Sequence, residues 1–352
     1  MMQRCLSLAQ QAAGYTAPNP LVGAVITQET EVVGEGYHPQ AGQPHAEVFA
    51  LRAAGDRAVG GTLYVNLEPC NHYGRTPPCT EAVIQAGIRR VYVGMIDPDE
   101  RVSGQGVARL REAGLEVIVG LEEAACLQLN EAFVHRIQHH RPFGILKYAM
   151  TLDGKIAATS GHSAWVTGPA ARTRVHQLRA VCDAVIIGGN TLRRDNPHLT
   201  SHGQSDRNPL RVVMSQQLNL PLTANLWQVE VAKTLVLTQT GANPQLQDQL
   251  RQKGVEVVAL DSLTPATAME YLYQRQLLSV LWECGGQLAA AAIAAAAVQK
   301  VLAFVAPKII GGQGAPSPVG DLGLTAMTQA RPLERLRWQM IGSDLLVEGY
   351  LA

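Results

Sequence analysis

Strand-like and helix-like segments alternate along almost the whole chain, and this alternation limits the architectures that it can adopt. In the first 140 residues, short apolar runs alternate with segments of helical spacing. The predicted strands cover 21–26, 32–36, 62–67, 90–96 and 115–121, and the predicted helices cover 46–54, 80–86, 107–113 and 122–139. This order predicts an α/β sandwich with a largely parallel sheet.

A polar segment at 139–143 separates this series from a second one. The pattern therefore predicts two α/β domains, 1–141 and 142–352. In the second domain, the predicted strands cover 145–150, 184–188, 210–214, 234–238, 255–260, 279–283 and 300–305, and the predicted helices cover 170–180, 244–253, 265–276 and 288–297. The last two strands, 335–341 and 344–350, are predicted to form a hairpin about Gly342-Ser343.

Composition argues against several functional classes. The chain has 29 basic and 29 acidic side chains and 5% aromatic residues, so neither its charge nor its ring content favours nucleic-acid binding. Six cysteines in 352 residues are too few for a disulfide framework. The N-terminus lacks the apolar run of a signal peptide, and the longest apolar stretch, 288–298, is too short to span a bilayer. A reduced, cytoplasmic protein is the expectation.

Three residues in the first half form a pattern of metal ligands: His45, Cys70 and Cys79. Three protein ligands leave one position of a tetrahedral zinc ion open, as in catalytic sites. Glu47, two residues after the histidine, is placed to move protons without binding the metal. H-x-E followed by P-C-x-x-C is typical of zinc-dependent base deaminases. The alternatives are a structural zinc site with a fourth ligand from His38 or His72, or unrelated core cysteines.

The spacing of the two cysteines departs from that pattern. Eight residues, 71–78, separate them, whereas the usual spacing is two. The spacer carries His72 and Arg75, whose imidazole and guanidinium suit a polar, anionic small molecule. The alternative is a solvated loop that only closes the metal site.

Glycine pairs in the second half follow predicted strands. Gly188-Gly189 follows the strand 184–188, and Gly285-Gly286 precedes the helix 288–297. Such a pair at a helix N-terminus can bind a phosphate, although tight packing at a turn is the commoner cause. No G-x-G-x-x-G fingerprint follows the first strand of this domain.

Taken together, the motifs of the first half resemble the bifunctional deaminase–reductase family of riboflavin biosynthesis. The segments that carry the resemblance are 19–25, 34–38, 45–47 and 67–79. The long spacer with Gly-Arg-Thr-Pro-Pro distinguishes it from cytidine, guanine and tRNA-adenosine deaminases. The resemblance implies a cytidine-deaminase-like three-layer domain that holds one zinc ion, and it places Asn19 and His38 at a pyrimidine substrate, with Asp97 and Asp99 nearby.

The same resemblance extends over the second half, through the segments 151–155, 163–168, 188–197 and 283–286. It implies a dihydrofolate-reductase-like domain that uses NADPH. The residues that it places at the cofactor are Ala149, Trp165, Thr191, Asp195, Gly285, Gly286, Gln287, Leu288, Ala289, Ala290 and Ala291. The residues that it places at the substrate are Ser163, Arg179, Leu199 and Glu283, with Arg179 suited to the ribose phosphate. Two residues depart from the family pattern: His202 stands where an arginine is expected, and Ser215 where an aspartate is usual.

The implied function is a two-step conversion in riboflavin biosynthesis. The first step is a hydrolytic deamination at zinc of 2,5-diamino-6-(5-phosphoribosylamino)pyrimidin-4(3H)-one. The second is reduction of the ribosyl group to ribityl by NADPH, and a homo-oligomer is expected. The alternatives are a deaminase with an inactive second half, a nucleic-acid base deaminase, and an interaction protein with structural zinc.

Overall fold

A computed structural model describes residues 1–73, 77–100 and 102–351. The chain forms two compact units, Met1–His140 and Arg141–Ala352. The split therefore falls one residue before the domain boundary that the sequence predicts. Within the described residues, no helix is long and apolar enough to cross a membrane. All six cysteines are free thiols.

The first unit is built on a five-stranded mixed sheet. Its strands are β1 (Gly23–Gln28), β2 (Glu31–Tyr37), β3 (Thr62–Leu67), β4 (Arg90–Met95) and β5 (Glu116–Val119). The spatial order is β2-β1-β3-β4-β5. Strands β3, β4 and β5 are parallel, as predicted, but β1 runs antiparallel to both of its neighbours. The sheet is therefore parallel on one side only.

Among the described residues, six α-helices cover both faces of this sheet. They are α1 (Met2–Gln10), α2 (Ala46–Ala54), α3 (Cys79–Gln85), α4 (Gln105–Glu112), α5 (Glu123–Leu129) and α6 (Glu131–His139). Alternate residues of β1 point into different cores: Ile26 packs with Ala50 of α2, whereas Val25 packs with Cys5 of α1 and Cys126 of α5. Because side chains alternate across a strand, this division produces three layers.

The single long helix predicted for 122–139 is wrong, because the structure breaks it at Asn130. Asn130 leaves the helical conformation at φ −102° and ψ 19°. Its side chain accepts a hydrogen bond from the Leu21 amide at 2.8 Å and donates one to the Leu21 carbonyl at 3.0 Å. The break therefore serves a long-range contact that helical periodicity does not reveal.

The second unit is built on a nine-stranded sheet. Its strands are β6 (Phe143–Thr151), β7 (Ala184–Gly188), β8 (Leu210–Met214), β9 (Thr234–Gln239), β10 (Glu256–Leu260), β11 (Ser279–Trp282), β12 (Lys300–Ala306), β13 (Leu333–Ile341) and β14 (Asp344–Leu351). The spatial order is β10-β9-β8-β7-β11-β6-β12-β14-β13. All neighbours from β10 to β12 are parallel, and the terminal hairpin is antiparallel, with its turn at Gly342-Ser343 as predicted.

Separate apolar clusters form on the faces of this sheet. In the part of the chain that the structure describes, five α-helices accompany the strands. They are α7 (Pro169–Val181), α8 (Gly189–Asp195), α9 (Pro244–Gln252), α10 (Pro265–Gln274) and α11 (Gly286–Ala294). The sequence prediction contains no helix at α8, whose polar residues hide its periodicity. The α/β class predicted for both halves is confirmed.

Candidate active sites

The three predicted metal ligands of the first unit lie together. His45 is the N-cap residue of α2, Cys79 is the first residue of α3, and Cys70 follows strand β3. Helix α2 packs directly on β2, and Gly36 allows this close approach because it has no Cβ. A Cβ at this position would lie 2.3 Å from the Cβ of Phe49. The ligand atoms of the three residues all lie within 4.8 Å of one another.

The distances between these atoms fit a tetrahedral metal ion. Nδ1 of His45 lies 3.5 Å from Sγ of Cys70 and 3.3 Å from Sγ of Cys79. With zinc–nitrogen bonds of about 2.0 Å and zinc–sulfur bonds of about 2.3 Å, two ligands of a tetrahedral ion lie about 3.5 Å apart. Both nitrogen–sulfur distances therefore match two ligands of one zinc ion.

The electrostatics of the two thiols also suit a cation. Hydrogen bonds from Cys79 and from His45 lower the pKa of the Cys70 thiol to about 4. The hydrogen bond to Cys70, together with burial, raises the pKa of Cys79. Cys70 thus forms a thiolate readily, and this thiolate disfavours ionisation of Cys79. The positive charge of a bound metal favours the thiolate form of both residues.

Glu47 lies in the first turn of α2 and is 3% exposed. Burial, followed by the nearby Cys70, raises the pKa of its carboxyl to about 7. Its Oε2 atom is buried and has no hydrogen-bond partner among the described residues. Because buried polar atoms are almost always paired, this oxygen marks the place of a polar group beside the metal ligands.

A cavity of about 280 Å³ opens beside His45, Glu47 and Cys70. Asn19 and His38 line it and contact each other, with Nδ2 of Asn19 3.0 Å from Nε2 of His38. Nδ1 of His38 lies 3.0 Å from the carbonyl of Pro44, which can accept a hydrogen bond from it. Burial lowers the pKa of His38, so the ring is a neutral acceptor for the Asn19 amide.

The remaining polar wall of the cavity comes from the loops after β3 and β4. His72, Asp97 and Asp99 all line it. Burial, opposed by the amide of Asp99, raises the pKa of Asp97. Arg75, the other predicted substrate residue of the spacer, lies outside the described residues. The alternative of a structural zinc site with His38 as fourth ligand is not favoured, because both ring nitrogens of His38 contact other groups.

In the second unit, Arg179 and Glu283 form a buried ion pair. Nε and Nη2 of Arg179 lie 2.6 and 3.1 Å from the two oxygens of Glu283, and Lys147 lies 3.3 Å from the same carboxylate. Burial alone would raise the pKa of Glu283, but Arg179 and Lys147 outweigh it and lower this pKa to about 2. Sequence reasoning missed Lys147, although a lysine within the apolar strand β6 was a signal.

His202, which departs from the family pattern, stacks on His176 with ring centroids 4.1 Å apart. Burial lowers the pKa of both imidazoles, that of His176 to about 4, and the charge of Arg179 lowers both further. The position expected to hold an arginine is thus part of a neutral imidazole pair beside Arg179.

Two of the predicted cofactor residues lie on exposed surface near predicted substrate residues. Asp195 ends α8 and accepts a hydrogen bond from the hydroxyl of Ser163 at 3.4 Å. Trp165 is 70% exposed, and the guanidinium of Arg172 lies 4.5 Å from its ring centroid. Trp165 is therefore not a core residue.

The two glycines at the start of α11 differ in their surroundings, so tight packing and phosphate binding, the two explanations for a glycine pair, apply to different residues. A Cβ on Gly286 would lie 2.7 Å from the carbonyl of Ser317, so tight packing accounts for this glycine. Nothing lies within 4 Å of a Cβ built on Gly285. Helix α11 begins at Gly286, so the amides of Gly286, Gln287 and Leu288 belong to its first turn and have no partner within the helix.

Most of the remaining residues predicted to bind substrate or cofactor have small or buried side chains. Leu199 is 2% exposed and packs in an apolar cluster, while Thr200 beside it accepts a hydrogen bond from Arg179 at 3.3 Å. Ala289 and Ala290 are buried, and Ala291 is exposed one turn from the helix start. Ala149 lies on β6 and packs against an apolar cluster, and Thr191 lies in the first turn of α8.

Comparison with known proteins identifies both units. Residues 1–95 match the cytidine and deoxycytidylate deaminase zinc-binding region, and residues 142–347 match the RibD C-terminal domain. A riboflavin biosynthesis protein RibD from Synechocystis sp. is 64% identical over 350 residues, which are 99% of this chain and 95% of that protein. The chain belongs to the RibD family.

Two further RibD relatives cover the chain at lower identity. The chloroplastic riboflavin biosynthesis protein PYRR of Arabidopsis thaliana is 49% identical over 99% of this chain, which spans 60% of that protein. A diaminohydroxyphosphoribosylaminopyrimidine deaminase/5-amino-6-(5-phosphoribosylamino)uracil reductase from Thermotoga maritima has a TM-score of 0.90 at 35% identity, covering 100% of this chain and 97% of that one.

Membership of the RibD family makes this chain a bifunctional enzyme of riboflavin biosynthesis with a deaminase and a reductase domain. The fold expected from the resemblance, a cytidine-deaminase-like domain followed by a dihydrofolate-reductase-like domain, is confirmed. The deaminase domain is of the zinc-binding kind.

Proposed function

We propose that the first unit hydrolyses the 2-amino group of 2,5-diamino-6-(5-phosphoribosylamino)pyrimidin-4(3H)-one. The second unit then reduces the ribosyl group of 5-amino-6-(5-phosphoribosylamino)uracil to ribityl with NADPH. The observation that carries the first step is the unpartnered Oε2 of buried Glu47 beside three atoms with the spacing of zinc ligands. The substrates are those that the name of the Thermotoga maritima relative describes.

For the first step, His45, Cys70 and Cys79 would hold one zinc ion. Zinc supplies Lewis acidity that lowers the pKa of water towards neutrality. Glu47 accepts the proton of the attacking water and returns it to the leaving ammonia. A carboxyl with a pKa near 7 suits both directions of this transfer.

The polar residues that line the cavity would bind the pyrimidine. Asn19 is oriented by His38, and both face the space beside Glu47. His72 and Arg75 of the long spacer contribute the groups suited to an anionic substrate. The cavity volume of about 280 Å³ is of the order expected for a single small-molecule site.

In the second step, Arg179, Glu283, Ser163 and the backbone of Leu199 bind the phosphorylated substrate. The hydrogen bonds of Arg179 to Glu283 and Thr200 use three of the five N–H donors of a guanidinium, so further donors can reach a phosphate. Glu283 fixes the direction of the guanidinium.

We place the nicotinamide cofactor at the first turn of α11 and around α8. NADPH would supply the hydride for the carbonyl carbon of the ring-opened ribosyl group. The amides from Gly285 to Leu288 are suited to its phosphate groups. The exposed ring of Trp165 and the residues Ala149, Thr191 and Asp195 form the rest of the proposed set, in which Ala289, Ala290 and Ala291 contribute only van der Waals contacts.

A two-step assay of the purified chain tests this function. With the diaminopyrimidinone phosphate and no NADPH, we expect one ammonia per substrate, and added NADPH is then oxidised. After zinc is removed with a chelator, ammonia release stops, but NADPH oxidation with the deaminated intermediate continues. Ammonia release without NADPH oxidation would show that only the first unit is active. Ammonia release from the zinc-free chain would contradict the proposed metal site.

We also propose that the enzyme is a homo-oligomer that associates through β13. This strand ends the nine-stranded sheet, and its apolar residues Leu336, Trp338 and Met340 are 50%, 72% and 63% exposed. Exposed apolar edge strands pair readily with another chain.

The mass of the Trp338→Glu variant tests this interface. We expect light scattering to give an oligomer for the wild type and a monomer for Trp338→Glu, because a carboxylate at the centre of the interface opposes burial. The matched control is Val231→Glu, which changes a side chain that is 42% exposed elsewhere in the same unit. A wild-type chain that is monomeric, or a Trp338→Glu variant that keeps the wild-type mass, would contradict the proposed interface.

A further inference from the structure

Glu68 is a buried carboxylate that ties together two loops of the deaminase unit. It follows directly after strand β3, stands two residues before Cys70, and is 4% exposed. Oε2 accepts hydrogen bonds from the amides of Asp97 at 3.2 Å and Gly104 at 2.9 Å, and Oε1 accepts one from the amide of Val107 at 3.0 Å. Both oxygens are thus engaged with the backbone of another segment.

The segment bound by Glu68 connects β4 to α4. Hydrogen bonds to a carboxylate are stronger than those between neutral groups, and two of these three involve the start of a helix, where the macrodipole favours negative charge. Gly106 makes the contact close, because a Cβ at this position would lie 2.1 Å from the carbonyl of Pro69. The start of α4 therefore packs directly against Glu68 and Pro69.

This segment also supplies one wall of the proposed substrate cavity. Asp97, Asp99 and Val102 line the cavity on that side. The carboxylate of Asp97 accepts a hydrogen bond from the Asp99 amide at 2.9 Å, and the carbonyl of Asp99 accepts one from the Val102 amide at 2.8 Å. The described residues of this wall are therefore linked by hydrogen bonds, and Glu68 binds the amide of Asp97 at its start and the amides of Gly104 and Val107 just beyond Val102.

We infer that Glu68 is a positioning residue for deamination, which sets the distance between the metal ligands and the wall formed by Asp97, Asp99 and Val102. Its carboxylate binds the wall, while the chain that leaves it leads directly to Cys70. Glu68 itself lines the cavity, but backbone amides engage both of its oxygens, so it acts on substrate binding through the wall.

The variant Glu68→Gln tests this role, because an amide cannot accept hydrogen bonds at its NH₂ group and so places a donor against backbone donors. We expect the KM for deamination to rise about tenfold or more, from the loss of at least one charge-assisted hydrogen bond, while kcat changes by less than about threefold. One zinc per chain is retained. Hydrogen exchange of the Asp97, Gly104 and Val107 amides becomes faster.

Two further variants complete the test. Glu81→Gln is the matched control. Glu81 of α3 forms a partly exposed ion pair, at 2.7 Å, with Arg109 of α4, the helix whose start Glu68 binds. Loss of this pair is expected to leave KM unchanged. Gly106→Ala keeps the carboxylate of Glu68 but places a Cβ 2.1 Å from the Pro69 carbonyl and 3.2 Å from Oε1 of Glu68. Helix α4 must therefore move away from both residues, and KM is expected to rise in the same way. This variant keeps the test decisive if Glu68→Gln does not fold.

The outcomes separate this role from the alternatives. A fall in kcat at unchanged KM would mean that Glu68 acts in the chemical step, and loss of zinc would mean that it only holds Cys70. Unchanged KM and kcat in both Glu68→Gln and Gly106→Ala would remove the role altogether. The inference rests on the proposed deamination, but ammonia release by the wild type is measured separately, so failure of that function is distinguishable from failure of this role.

Discussion

Replacement of Glu47 by glutamine is expected to abolish ammonia release while leaving NADPH oxidation unchanged. Glutamine has nearly the same shape as glutamate but cannot accept and return a proton, so the deaminase kcat should fall about 1,000-fold. The metal content should stay at one zinc per chain, because His45, Cys70 and Cys79 are intact. Ammonia release, metal analysis and reduction of the deaminated intermediate measure the three quantities in one preparation.

The second unit provides an internal control for this experiment, since its activity reports on the amount of intact chain. Glu116→Gln serves as a matched variant in the first unit, because Glu116 forms an ion pair with Arg90 at the surface and is expected to leave deamination unaltered. If Glu47→Gln deaminated at the wild-type rate with zinc bound, Glu47 would not be the group that transfers the proton, and the proposed role of its carboxylate would be wrong. Zinc loss in this variant would instead make Glu47 a ligand.

Sequence reasoning was most successful where the chemistry depends on residue type. His45, Cys70 and Cys79 were recognised from their identities, and the structure places their atoms within reach of one ion. Short-range rules also located most helices and the final hairpin, since caps, glycines and apolar periods act within a few residues. What failed depends on distant partners. Asn130 interrupts a periodic helix to bind Leu21, which is 109 residues away in the sequence.

The same limit applies to polar residues inside the fold. Lys147 and Glu68 were not singled out, because their importance follows from the groups that they meet in space: the carboxylate of Glu283 for one, and three backbone amides for the other. A motif can point to a residue without revealing which part of it faces outward. Leu199 came from the family pattern, yet its side chain lies in the core.

Loss of the Glu283 charge is expected to destabilise the second unit by about 3–5 kcal/mol, because it leaves two buried cations without a partner. The side chains of Arg179, Lys147 and Glu283 are 11%, 16% and 8% exposed. We therefore expect Glu283→Gln to lower the melting temperature of this unit by about 10 °C. All four tryptophans lie after residue 141, so tryptophan fluorescence follows this unit selectively. NADPH oxidation should be lost even below the melting temperature, because the direction of Arg179 is no longer fixed.

The pH dependence of unfolding provides a second measurement of the same ion pair. The pKa of Glu283 is about 2 in the folded chain against 4.5 ordinarily, so the unfolded state binds its proton first as pH falls. The stabilisation is fully present above pH 4.5 and is lost towards pH 2, and it amounts to about 3 kcal/mol. Glu283→Gln should lack this component. In the control, Glu256→Gln, an exposed pair with Arg275 is removed, which should cost less than about 1 kcal/mol. Equal acid sensitivity of the Glu283→Gln variant and the wild type would show that other carboxylates govern acid unfolding and that the buried pair adds little.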